Sequence, residues 1–211
     1  MRRISYLIAN LMAGFMDFGV GCLIATFVAL LTGHEVVWWE LVVAGAVFNV
    51  LPDYDIVPFI LWRGITGKSF NFDHHQTWLH WPIVVLPAVT TIVWFAFGTY
   101  WGIVALLCVL AHYVHDAAMM NSGLSWLVRL RRTYPEGTYE QHNLLPDQWI
   151  AQNWLQPSQL SINEITIGTL TLGTSVGILT NLWGFFATLC ICWFCTALFW
   201  WTNRSIKQSR A

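Results

Sequence analysis

A chain of 211 residues in which 56% are hydrophobic, 10% are charged and fourteen are tryptophan is too apolar for an ordinary water-soluble domain. Its formal charge is −1, with no basic stripe able to neutralise a run of phosphates, which argues against nucleic acid as a direct partner. The composition is that of an all-α integral membrane protein. No internal repeat, linker or low-complexity tract divides it, so 1–211 reads as a single domain.

Crossing a hydrocarbon core of ~30 Å takes ~20 helical residues. The first apolar stretch, 4–32, exceeds that length and should tilt or protrude. Its Met-Arg-Arg opening resembles a secretory signal, but the apolar run is too long and no small-x-small cleavage site closes it. A second stretch covers 36–51, and 81–97 and 101–115 form a pair separated by a Gly-Thr-Tyr turn. The last two, 165–180 and 183–201, are joined through Asn181 and Leu182 as a tight helical hairpin within 163–202. The expectation is a polytopic bundle of about six transmembrane helices.

Lys and Arg in short flanking loops stay on the cytoplasmic side. With the N-terminus inside, all ten fall there: Arg2, Arg3, Arg63, Lys68, Arg129, Arg131, Arg132, Arg204, Lys207 and Arg210. The outer connections, near His34 and Glu35, near Thr99 and near Asn181, carry none. The expected location is therefore the cell inner (plasma) membrane, multi-pass, with both termini cytoplasmic. Segment 117–162 is the least apolar and reads as a cytoplasmic interfacial arm, with short helices near Leu127 and Leu130 and over 147–155, and a turn at Pro135-Glu136-Gly137. Ser161 and Glu164 have capping-box spacing at the start of the fifth span. Cys22, Cys108, Cys190, Cys192 and Cys195 lie inside helices and read as core or lipid-facing residues. His34 and His142 fall in aqueous connections and read as solvated.

Three polar constellations interrupt this apolar background. In Leu51-Pro52-Asp53-Tyr54-Asp55, proline breaks the second span at the cytoplasmic interface, and two carboxylates one residue apart can turn toward one cation or simply be solvated at a helix end. The loop entering the third span holds His74, His75 and His80; neutral imidazole is the commonest metal ligand, although interfacial histidines beside Trp and Pro also serve as headgroup contacts. In Ala111-His112-Tyr113-Val114-His115-Asp116, helical geometry stacks His112 over Asp116, a pair that can grip an ion or bond across helices. Asp53, Asp55, His75, His80, His112 and Asp116 are the candidate ligands. They exceed what one tetrahedral ion uses, which points to a binuclear site or to outer residues that orient the ligands. The imidazole and carboxylate mix suits a divalent Zn, Mn or Fe ion.

Leu-Pro-Asp-x-Asp, then His-x4-His, then His-x3-Asp and a trailing glycine at Gly123 resembles the membrane-bound metal-dependent hydrolases of bacterial inner membranes, including the LexA-binding, inner-membrane-associated hydrolase type. The resemblance covers 1–130. Its acidic pair falls on Asp53 and Asp55, its histidine pair on His75 and His80, and its last motif on His112 and Asp116. Gln76-Thr77 stands where the family pattern has Arg-Gly, and Leu79-His80-Trp81 where it has Thr-His-Ser, which removes a natural phosphate contact. The family's first-helix histidine is also missing; Asn10 and Asp17 share a face there, with Asp17 either a substitute ligand or paired with another helix.

The resemblance implies hydrolysis of an ester or phosphoester by metal-activated water, with His74 or His115 as acid/base or as orienting residues. The headgroup-level position makes membrane lipid the expected surroundings and a lipid-linked substrate the natural candidate. Oligomeric state leaves no trace in the sequence. Two rival classes stay open: a small transporter or ion-binding channel, and a non-catalytic membrane adaptor docking through its cytoplasmic arm.

Overall fold

The computed structural model describes residues 2–66, 77–119, 157–180 and, beyond these, 183, 184, 186–191, 193, 194 and 197. Among the described residues the fold is all-helical. The long helix α1 (Arg2–Thr32) is followed by α2 (Trp38–Val42), a π-helical turn (Val43–Asn49) and a 3-10 turn (Leu51–Ile56) that leads into α3 (Val57–Thr66). A second 3-10 turn (Trp78–His80) precedes α4 (Pro82–Phe97), α5 (Thr99–Met119) and α6 (Pro157–Leu179).

Local chemistry sets these boundaries. Gly33 ends α1 at φ +69°, and the His34 N–H reaches back to the Ala29 carbonyl at 3.0 Å, closing the helix with a six-to-one bond that needs a residue in the left-handed region. Pro82 opens α4 at a position whose N–H has no intrahelical acceptor.

The stretch expected as the second span begins as α2 and widens into the π turn, and the Pro52-led 3-10 turn follows where the proline was expected to interrupt it. The widened turn is a consequence of close packing on α1. A Cβ on Gly45 would stand 2.5 Å from the Phe18 carbonyl oxygen, and one on Gly21 would stand 2.6 Å from Gly45 Cα, so backbone meets backbone there. On another side of α1, a Cβ on Gly19 would stand 2.4 Å from the Gly168 carbonyl of α6. These approaches bracket Asp17 and draw both neighbouring segments up to it.

The main core joins Ala25, Val28, Ala44, Phe48, Val104 and Cys108 from α1, the π turn and α5. A smaller one, Val85, Val109, Tyr113 and Ala117, ties α4 to the C-terminal part of α5, on the same turns that carry His112 and Asp116. Large apolar side chains cover the outside, with Leu31 and Phe95 each 86% exposed, far more than a water-soluble surface carries. Among the described residues two helices are long and apolar enough to cross a membrane, Gly14–Thr32 and Thr99–Ala117, while Pro82–Phe97 and Glu164–Leu179 are apolar but shorter.

Two expectations are corrected. Helix α6 begins at Pro157, so Ser161 and Glu164 lie inside it and form no capping box; the apolar run starts later than the helix does. His34 is not simply solvated: its ring stacks on Tyr100 with centroids 3.8 Å apart and its Nε2 meets Glu40 Oε1 at 3.0 Å. Of the cysteines, Cys22 and Cys108 are buried and Cys190 is exposed, all with free thiols; Cys192 and Cys195 lie outside the described residues, as do His142 and residues 120–156 of the expected interfacial arm.

Candidate metal centre

Three chain segments converge beside the smaller core. The Pro52-led 3-10 turn carries Asp53 and Asp55. His80 closes the turn before α4, and that turn is pinned by the Tyr113 hydroxyl, which donates to the Leu79 carbonyl at 2.5 Å. One helical turn apart on α5, His112 and Asp116 present the same face. His80 is fully buried, His112 is 1% exposed and Asp116 is 4% exposed.

The donor atoms meet in a consistent way. His80 Nε2 lies 3.5 Å from Asp53 Oδ1 and 3.6 Å from Asp116 Oδ2. His112 Nε2 lies 3.5 Å from the same Asp53 oxygen and 3.3 Å from the same Asp116 oxygen. Asp53, His80 and His112 each offer one donor atom within 4.8 Å of the others and can hold a metal ion.

Two arrangements set the scale for these separations. A hydrogen-bonded His–Asp network places nitrogen and oxygen at ~2.7–2.9 Å. Ligands bonded to one tetrahedral ion at ~2.0–2.1 Å stand ~3.3 Å apart along each edge. The two Asp53 contacts, both 3.5 Å, lie nearer the second spacing, and both imidazole Nε2 atoms meet the same Asp53 oxygen. Among the described residues neither ring nitrogen of His112 has a hydrogen-bond partner, which is costly for a buried imidazole.

The other nitrogen of each imidazole faces a carboxylate of its own. Asp55 Oδ2 stands 3.5 Å from His80 Nδ1 and accepts from the Thr77 hydroxyl. Asp17 Oδ2 stands 3.4 Å from His112 Nδ1, while its Oδ1 accepts from the Asn49 amide at 3.2 Å and lies 3.5 Å from His115 Nδ1. Burial pushes the His80 imidazolium down, but the carboxylates of Asp53 and Asp55, with Asp116 close by, outweigh it and leave His80 pushed up to about 9.

Of the residues singled out in the sequence, Asp53, Asp55, His80, His112 and Asp116 are brought together, and His115 sits beside Asp17 instead of at the convergence of Nε2 atoms. His74 and His75 lie outside the described residues. Asn49, Thr77 and Glu164 were missed. Glu164 is 6% exposed on α6 and interacts electrostatically with His115, Asp17 and Asp53. A lone carboxylate in an apolar run was the available signal, hidden by its apparent capping role. No family model, curated protein or solved structure matches the chain, so the hydrolase resemblance rests on the order of its motifs alone.

Proposed function

We propose that the chain is a metal-dependent hydrolase of the inner membrane, multi-pass with cytoplasmic termini, acting at the inner leaflet on an ester or phosphoester, most naturally a lipid-linked one. The observation that carries this reading is the convergence of Asp53, His80 and His112 at coordination spacing. The one-sided distribution of Lys and Arg and the apolar exterior support the membrane placement. A divalent cation held by these three side chains supplies Lewis acidity, acidifying water and stabilising the oxyanion that forms on the substrate.

The chain's own residues do the rest. Asp53, His80 and His112 would hold the ion, a three-donor set of the kind found in catalytic sites. The sequence reading counts Asp116 among the ligands. We assign it instead as the base: its Oδ2 faces both Nε2 atoms from a buried position, near enough to accept a proton from water beside the ion. The purified chain is expected to contain stoichiometric transition metal by elemental analysis, and Asp53→Ala to lose it. Asp116→Asn is expected to retain the metal and lose about 10²–10⁴-fold in phosphoesterase or esterase activity. Metal-free wild-type protein purified without chelator would overturn the proposal.

A further inference from the structure

Both histidines whose Nε2 atoms converge are faced from behind in the same manner by carboxylates from different segments. His80 has Asp55 at its Nδ1, and His112 has Asp17 at its Nδ1, at 3.5 and 3.4 Å. We propose that Asp17 and Asp55 are paired positioning residues, each aiming one imidazole so that the two Nε2 atoms converge on a single cation. The inference rests on the metal reading above and assigns these two carboxylates to the outside of the site.

The alternative, that Asp17 or Asp55 binds the ion itself, conflicts with the directions of the rings. The atoms that converge on Asp53 Oδ1 and Asp116 Oδ2 are Nε2 in both histidines. Asp17 and Asp55 approach the opposite nitrogen. A carboxylate there favours the tautomer with hydrogen on Nδ1, leaves the Nε2 lone pair for the metal, and raises the basicity of the ring.

Each carboxylate is itself held. The Thr77 hydroxyl, three residues before His80, donates to Asp55, so one short segment supplies both the ligand and the anchor of its partner. Asn49, in the π turn, donates to Asp17 across 32 residues of sequence. The same turn carries Gly45, whose backbone touches α1 at Gly21, four residues from the Asp17 that Asn49 reaches. His115 approaches the same Asp17 carboxylate through its own Nδ1, which makes it part of this outer support and not an acid/base at the ion.

The test uses the full chain in detergent, titrated with Co²⁺ and followed by its visible absorption. Asp55→Ala is expected to weaken Co²⁺ binding by about 10–100-fold and to change the absorption envelope. Asp55→Asn is expected to fall between the wild type and Asp55→Ala, because the amide oxygen still accepts from Nδ1–H but carries no charge. Asp17→Asn is expected to behave like Asp55→Asn. Should burial at Asp17 prevent that variant from folding, the Asp55 series and Thr77→Val, expected to lose several-fold, decide the matter. Wild-type affinity and spectrum in Asp55→Ala would overturn the inference while leaving the metal site standing. Absence of Co²⁺ binding in the wild type, or unchanged binding in Asp53→Ala, would overturn the metal reading and this inference together.

Discussion

Histidine and carboxylate meet at both ends of α5, half-exposed at His34 and buried at His80 and His112, and the two meetings differ in geometry. At Tyr100, His34 Nε2 lies 3.0 and 3.2 Å from the two oxygens of Glu40, whose Oε2 also accepts from the Val37 N–H at 3.0 Å. Three helical turns away, roughly 18 Å along the axis, His80 and His112 stand 3.3–3.6 Å from Asp53 and Asp116. The first cluster closes on itself with ordinary hydrogen bonds. The second stays open, with two imidazole Nε2 atoms sharing one Asp53 oxygen at 3.5 Å. Chemical composition alone does not separate a structural pair from a candidate metal centre; the convergence of three donor atoms from separate segments does.

Changing pH should separate the two ends most strongly. His80 is pushed up to about 9, so near neutrality a cation must displace its proton. Metal affinity is expected to rise about tenfold per pH unit toward 9 and then level off, measured by competition with a chelating dye. In the metal-free protein the linkage runs the other way. A raised folded-state value contributes stability that is complete below the ordinary histidine value of 6.5 and is lost as pH rises through about 9. A metal affinity independent of pH from 6 to 9 would break the comparison.

Chelation should destabilise the fold next most. At a metal concentration a hundred times the dissociation constant, binding adds about 2.7 kcal/mol, so removing the ion is expected to lower Tm by about 5–10 °C. The smallest expected effect belongs to the closed cluster. Glu40→Gln weakens a charge-assisted pair and is expected to cost about 1–2 kcal/mol of stability, with metal stoichiometry unchanged. Loss of metal in that variant would show that the two ends are not independent.

Much of the site was legible because each donor motif sits where an apolar run ends, and polar groups are retained in such places only for a reason. Asp53, His80, His112 and Asp116 could be named from spacing and order. The all-helical character followed from the length of the apolar runs, and two of them, Gly14–Thr32 and Thr99–Ala117, have the length to span. What could not be read was direction. Whether Asp17 faces the ion or the back of a ligand depends on how α1 rotates against the π turn, and that rotation is set by the glycine contacts of Gly21 with Gly45 and Gly19 with Gly168. The widening of the expected second span was hidden for the same reason, since an apolar run of 36–51 has one hydrophobic pattern whether its turns are α or π. Glu164 was masked by a spacing that fits a cap only if the helix starts beside it.

X-ray absorption spectroscopy of the metal-loaded chain tests the central claim most directly. Two imidazole nitrogens and at least one carboxylate oxygen at ~2.0–2.1 Å from one ion are the predicted shell, reduced by one imidazole in His112→Ala. A shell of oxygen donors alone, or one unchanged by His112→Ala, would contradict it.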